Sequence, residues 1–178
     1  MDIFSHGLWA GAGAMGLNKA QTKRWLNVWA TAAWGVFPDL FAFSIPFIFI
    51  IGSLIVGNGH LSDFGPHRLE PIAGRDSVWL FQLASALYNI SHSLIIFSVV
   101  FFGVWAYFKQ ARLELLGWLL HIIMDVPTHS YAFFPTPVFW PLFDWKFNGF
   151  SWGQPWFLLL DFSSLLLVYA FLWKKRTK

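Results

Sequence analysis

The chain has no cysteine. Disulfides and thiolate metal sites are therefore excluded, and any metal must be held by histidine, aspartate, glutamate or backbone groups. Charge is scarce as well: 12% of the 178 residues are Asp, Glu, Lys or Arg, about half the share in a soluble domain. Residues 40–56, 77–108 and 162–173 contain none of the four. Alternating strand patterns, internal repeats and low-complexity tracts are missing. So is a basic stripe with interleaved aromatics; the net charge of +3 sits in short clusters, and no nucleic-acid partner is expected. The N-terminal stretch MDIFSHGLWAGAGAMG has an acid where a signal peptide has basic residues and lacks a clear apolar core. It is expected to belong to the mature fold.

What is abundant is apolar and aromatic surface, at 57% and 21% of the residues. Uncharged runs of this length fit a bilayer, in which a spanning backbone must satisfy its own hydrogen bonds. The expectation is one all-α, integral-membrane bundle over residues 1–178, of about five helices. The segments are 3–17, 25–56, 78–108, 113–127 and 156–173. Gly7 and Gly11 have the small-xxx-small spacing for close helix approach. Pro38 and Pro46 are expected to kink or break the second segment. The long third segment is expected to tilt strongly or to lie partly along the interface. The twelve tryptophans read mainly as interfacial anchors and packing.

Lys19, Lys23 and Arg24 follow the first segment, Lys109 and Arg112 the third, and Lys174, Lys175, Arg176 and Lys178 the fifth. The positive-inside rule makes that side cytoplasmic, in a cell-membrane protein with both long loops outside. Counted from these clusters, His6, Asp39, His92, Asp125 and Asp161 lie roughly 20–26 Å up the helices, His121 roughly 14 Å and His129 higher still. Each segment thus delivers a His or Asp to the outer half of the membrane. An uncompensated charge at the bilayer centre costs about 3 kcal/mol on insertion scales, so such groups face inward and pair or bind something.

Within HIIMDVPTHS, His121 and Asp125 share a helix face at i and i+4, with His129 one turn further if Pro127 permits. Aspartates with neutral imidazoles suit a divalent cation, zinc first and manganese or iron after it. The expected ligands are Asp39, His92, His121 and Asp125. Under a hydrolase reading, which the family resemblance given below implies, His6 joins them through a shared carboxylate or acts as a general base, and His129 assists the leaving group or binds a second ion. Asp161 and Ser93 are expected to orient ligands from behind. Arg68 and Lys146, in the two long loops, are candidates for binding substrate phosphate. His60 and His67 read as solvated loop residues. The same His/Asp set would also serve a transporter or channel, or a scaffold that locks helices together without metal.

In order along the chain, His6 in FSHGLWAG, Pro38-Asp39 in GVFPDLF, His92-Ser93 in NISHSLII and His121 with Asp125 in HIIMDVPTH resemble a known pattern. It is that of small bacterial and archaeal integral-membrane proteins described as membrane-bound metal-dependent hydrolases. More remotely, the set is similar to that of the zinc-dependent phospholipase C and single-strand nuclease superfamily. The first resemblance spans nearly the whole chain. It implies a helical membrane hydrolase holding one or two metal ions, acting on a phosphoester such as a phospholipid or lipid-linked phosphate. Family members often carry His-Arg-Gly before the third-helix His-Ser and a second acid after Pro-Asp; here Leu87, Tyr88, Asn89 and Phe41 stand in those places.

Overall fold

The computed structural model describes residues 1–20, 25–57, 79–132 and 134–174. Among them are six α-helices and no strand: α1 (Ile3–Ala20), α2 (Val28–Val56), α3 (Trp79–Ser91), α4 (Leu94–Phe108), α5 (Leu116–Thr128) and α6 (Pro155–Lys174), with a 3-10 turn at Leu113–Leu115. The all-helical expectation holds. By length and composition α2 and α6 are each able to cross a membrane, and α3 with α4 forms a third such unit if the bent pair is counted as one. His60, His67 and Arg68 lie outside the described residues, as do Lys23, Arg24 and the basic residues after Lys174.

Two expectations about helix continuity change. The 78–108 segment is two helices, α3 and α4, bent by 56° at His92-Ser93. Ser93 takes an extended conformation, and its Oγ accepts from the amides of Ile95 and Ile96 to cap α4. The Leu94 amide leaves the helical ladder for Val138 O at 2.9 Å. Serine favours such a break because its hydroxyl offers the backbone a non-helical partner. In α2 the expected break is absent: Pro38 and Pro46 sit inside one helix, Val28–Val56. Ser91 Oγ donates to Pro38 O at 3.1 Å, tying this part of α2 to the end of α3.

The helix ends sort into two groups. Lys19, at the end of α1, donates to Leu172 O near the end of α6. The Asn27 amide, just before α2, donates to Glu114 Oε1 ahead of α5 at 3.3 Å. The described members of the basic clusters therefore gather at one end of the bundle. The other end carries the start of α1, where Asp2 Oδ1 accepts from the amides of Phe4 and Ser5, together with the end of α5.

Between these ends, Trp118, Phe97, Ile122 and Leu115 form a buried cluster against Trp34 and Phe37. Trp118 Nε1 donates to Ser91 O at 2.6 Å, so this apolar wedge also holds the last carbonyl of α3. Close backbone approach surrounds it. A Cβ on Gly7 would meet Val36 Cγ2 at 2.6 Å, which bears out the small-residue reading for α1 against α2. A Cβ on Gly117 would meet Thr31 O at 2.1 Å, backbone that cannot yield without separating α5 from α2. Gly117→Ala is expected to destabilise the detergent-solubilised protein by about 1–3 kcal/mol, the usual cost of overpacking. Gly16→Ala, whose Cβ meets nothing within 4 Å, should melt like wild type in the same thermal scan.

Candidate metal centre

Four helices converge on one buried point. Asp39 comes from the middle of α2, His92 from the break between α3 and α4, and His121 with Asp125 from one face of α5. One ligand atom from each lies within 4.8 Å of all the others. Nε2 of His121 and Nε2 of His92 are 3.0 Å apart. Asp125 Oδ2 is 3.2 Å from His121 Nε2 and 3.3 Å from His92 Nε2. Asp39 Oδ1 is 3.5 Å from His92 Nε2 and 3.7 Å from His121 Nε2. A tetrahedral zinc site with ligand bonds near 2.0–2.1 Å has ligand-to-ligand edges of about 3.3 Å. The measured edges fall on either side of that length.

Hydrogen bonding fixes which way the imidazoles face. His121 Nδ1 lies 2.7 Å from Gly35 O, and a carbonyl only accepts, so Nδ1 carries the proton and Nε2 presents its lone pair. His92 Nδ1 lies 3.2 Å from Tyr88 O and 2.9 Å from Ser91 Oγ. Ser91 spends its own proton on Pro38 O, so His92 also donates through Nδ1. Two imidazole lone pairs and a carboxylate oxygen therefore face one another. Asp125 Oδ2 has no hydrogen-bond partner although it is wholly buried. Such a group demands a positive charge between its members, and two carboxylates with neutral imidazoles balance a divalent ion. The residues fit a metal.

The second oxygen of Asp125 serves a different set. Oδ1 is 2.9 Å from His6 Nε2 and 3.3 Å from His129 Nδ1, and it accepts from the amino group of Met1 at 2.7 Å. His6, 1% exposed, stacks on His121 with ring centroids 3.6 Å apart. Despite the short approach to Oδ1, neither ring nitrogen of His6 has a hydrogen-bond partner. Proximity without alignment leaves His6 able to accept. His129 is not helical: Pro127 and Thr128 end α5, and His129 is its extended C-cap, with its amide donating to Asp125 O at 3.1 Å. Its Nδ1 lies 3.3 Å from that carbonyl and 3.3 Å from Oδ1, and so carries a proton toward oxygen.

The supporting residues differ from those expected. Asp161 accepts from Ser5 Oγ at 2.6 Å and Trp9 Nε1 at 2.7 Å, tying α6 to α1 rather than bonding one of the described histidines. Ser93 caps α4 and donates to Trp140 O, leaving Ser91 to orient His92. Lys146 pairs with Asp144 at 3.0 Å in the segment between α5 and α6, apart from the ligand set. Sequence reasoning missed Ser91, Gly35 and Tyr88, which stacks on His92 with centroids 3.7 Å apart. For Gly35 a signal existed, since it lies one turn before Asp39; for Ser91 none did, because two serines flank His92 alike.

Metal analysis of the detergent-purified protein should find tightly held zinc in stoichiometric amount, and none in Asp125→Ala or His92→Ala. Ser91→Ala, which removes the acceptor that orients His92 together with the bond to Pro38 O, should weaken zinc about 10-fold. A wild type free of any transition metal would mean that a proton, rather than a metal, joins the two imidazoles.

No family model, curated protein or solved structure matches the chain.

Proposed function

We propose that the protein is a membrane-embedded, zinc-dependent hydrolase of a phosphoester, with a phospholipid or lipid-linked phosphate as substrate. The observation that carries this reading is the buried convergence of Asp39, His92, His121 and Asp125 on one point, with imidazole lone pairs aimed inward. Locking helices together requires one or two polar pairs; four ligand-type groups with unpartnered atoms exceed that need. The gathering of the described basic residues at one end of the bundle supports a multi-pass placement in the cell membrane. By the positive-inside rule that end is cytoplasmic, and the site belongs to the extracytoplasmic half.

When bound, the ion supplies Lewis acidity toward a phosphoryl oxygen and lowers the pKa of water. Everything else falls to the chain. Gly35 O, Tyr88 O and Ser91 Oγ hold the Nδ1 protons of His121 and His92 away from the centre. His6, buried with Nε2 2.9 Å from Asp125 Oδ1 and with Nδ1 unpartnered, is placed to take a proton from the attacking water at Nδ1. His129, whose Nδ1 proton is held by Asp125, would return a proton to the leaving oxygen through its other ring nitrogen. Asp125 couples the two tasks, since one carboxylate oxygen faces the metal ligands and the other faces both of these histidines.

The test is a hydrolysis screen of lipid and nucleotide phosphoesters in detergent micelles at controlled zinc. A phospholipid or lipid-linked phosphate should be cleaved, and chelation or Asp125→Ala should abolish turnover. His6→Ala should lower kcat about 100-fold or more, the usual contribution of a general base, with zinc content unchanged. Zinc bound tightly by a protein that cleaves none of these esters would refute the assignment.

A further inference from the structure

The C-terminal end of α5 is held by a segment far along the chain. A helix leaves its last carbonyls without intrahelical donors, and those groups must find partners elsewhere. Here the amides of one short stretch supply them. Phe150 donates to Pro127 O at 3.0 Å, Trp152 to Thr128 O at 3.0 Å, and Gly149 to His129 O at 2.9 Å. Two side chains extend the pairing: Asn148 Oδ1 accepts from the Tyr131 amide at 2.9 Å, and Tyr131 Oη donates to Lys146 O at 3.0 Å. Residues 146–152 thus form a strap across 127–131. Its closeness depends on residue 149, where a Cβ would lie 2.2 Å from Pro127 O and 2.8 Å from His129 O.

His129 has left the helix and takes an extended backbone; the α5 ladder still reaches its amide, which donates to Asp125 O, but not its carbonyl. The ring's position beside Asp125 Oδ1 then depends on what holds the carbonyls on either side. We infer that Gly149 and Asn148 are positioning residues: through the strap they hold His129 in register with Asp125, and they act on the reaction by way of His129 alone. The inference rests on the proton-donor role given to His129 above. It places no demand on the Asp39, His92 and His121 ligands, which come from other helices or from an earlier turn of α5.

The test compares Gly149→Ala and Asn148→Ala with Gly153→Ala, a control in the same segment whose Cβ meets nothing closer than 3.7 Å. The zinc-loaded, detergent-solubilised full chain is treated with diethylpyrocarbonate, and modification of each histidine is followed by mass spectrometry. His129 should react about tenfold faster in the first two variants, as expected for local opening, while the control behaves as wild type and zinc content is unchanged in all three. With phosphatidylcholine in mixed micelles as probe, whose alkoxide leaving group needs a proton, Gly149→Ala should lower kcat toward that of His129→Ala, and the double variant should be no slower than His129→Ala. Wild-type reactivity of His129 in both variants would overturn the inference. So would additive losses in the double variant, or zinc loss with His92 and His121 becoming reactive together. If the wild type holds zinc but turns over no ester, the hydrolase reading fails, while the modification rates still decide the strap.

Discussion

Two imidazole nitrogens that both present lone pairs, 3.0 Å apart inside a bundle of apolar helices, cannot stay there without positive charge between them. The rest of the molecule is arranged around that constraint. Each nitrogen faces inward because the opposite ring nitrogen is committed to a backbone carbonyl, Gly35 O for His121 and Tyr88 O for His92. Those carbonyls are fixed in turn by helix packing, including the close approach of α2 and α5 at Gly117. The geometry of the centre is thus a property of how helices α2, α3 and α5 pack, more than of any one motif.

The break between α3 and α4 shows how local chemistry serves the centre. A straight helix through 78–108 would keep His92 in a regular ladder and aim it by helix phase alone. The serines on either side divide the work: Ser93 caps the next helix, and Ser91 joins α3 to α2 through Pro38 O while accepting from His92. Trp118 then takes the Ser91 carbonyl that the break leaves open. In a low-dielectric interior an unmade hydrogen bond is costly, so a break of this kind persists only where every freed group finds a partner. The apolar wedge of Trp118, Phe97 and Trp34 supplies both the partner and the packing.

Asp125 divides the centre into two chemistries. Its Oδ2 completes the ligand group, whereas Oδ1 gathers His6, His129 and the Met1 amino group. A carboxylate shared in this way links the charge at the metal seat to the proton affinity of its neighbours, as the proposed hydrolysis would require of a group between its base and its acid. The ends of α1 and α5 meet at Asp125, and the Asp161 bond to Ser5 secures α1 from the opposite side.

Much of this was legible in the sequence. Sparse charge and long uncharged runs without strand alternation dictate helices, since only helices and closed barrels satisfy their own backbone hydrogen bonds in apolar surroundings. The i, i+4 spacing of His121 and Asp125 puts both on one face, and counting residues along helices brings His6, Asp39 and His92 to similar heights. Those arguments depend only on periodicity, a local property of the chain. What they could not reach was set by contacts between segments remote in sequence. Only tertiary packing decided that Ser91 rather than Ser93 would orient His92, that Pro38 would sit inside one helix, and that Asp161 would hold Ser5 instead of one of the described histidines. It also decided that residues 146–152 would cross back to fasten His129. Height along a helix follows from rise per residue; the direction in which a side chain hydrogen-bonds depends on which neighbour packs against it.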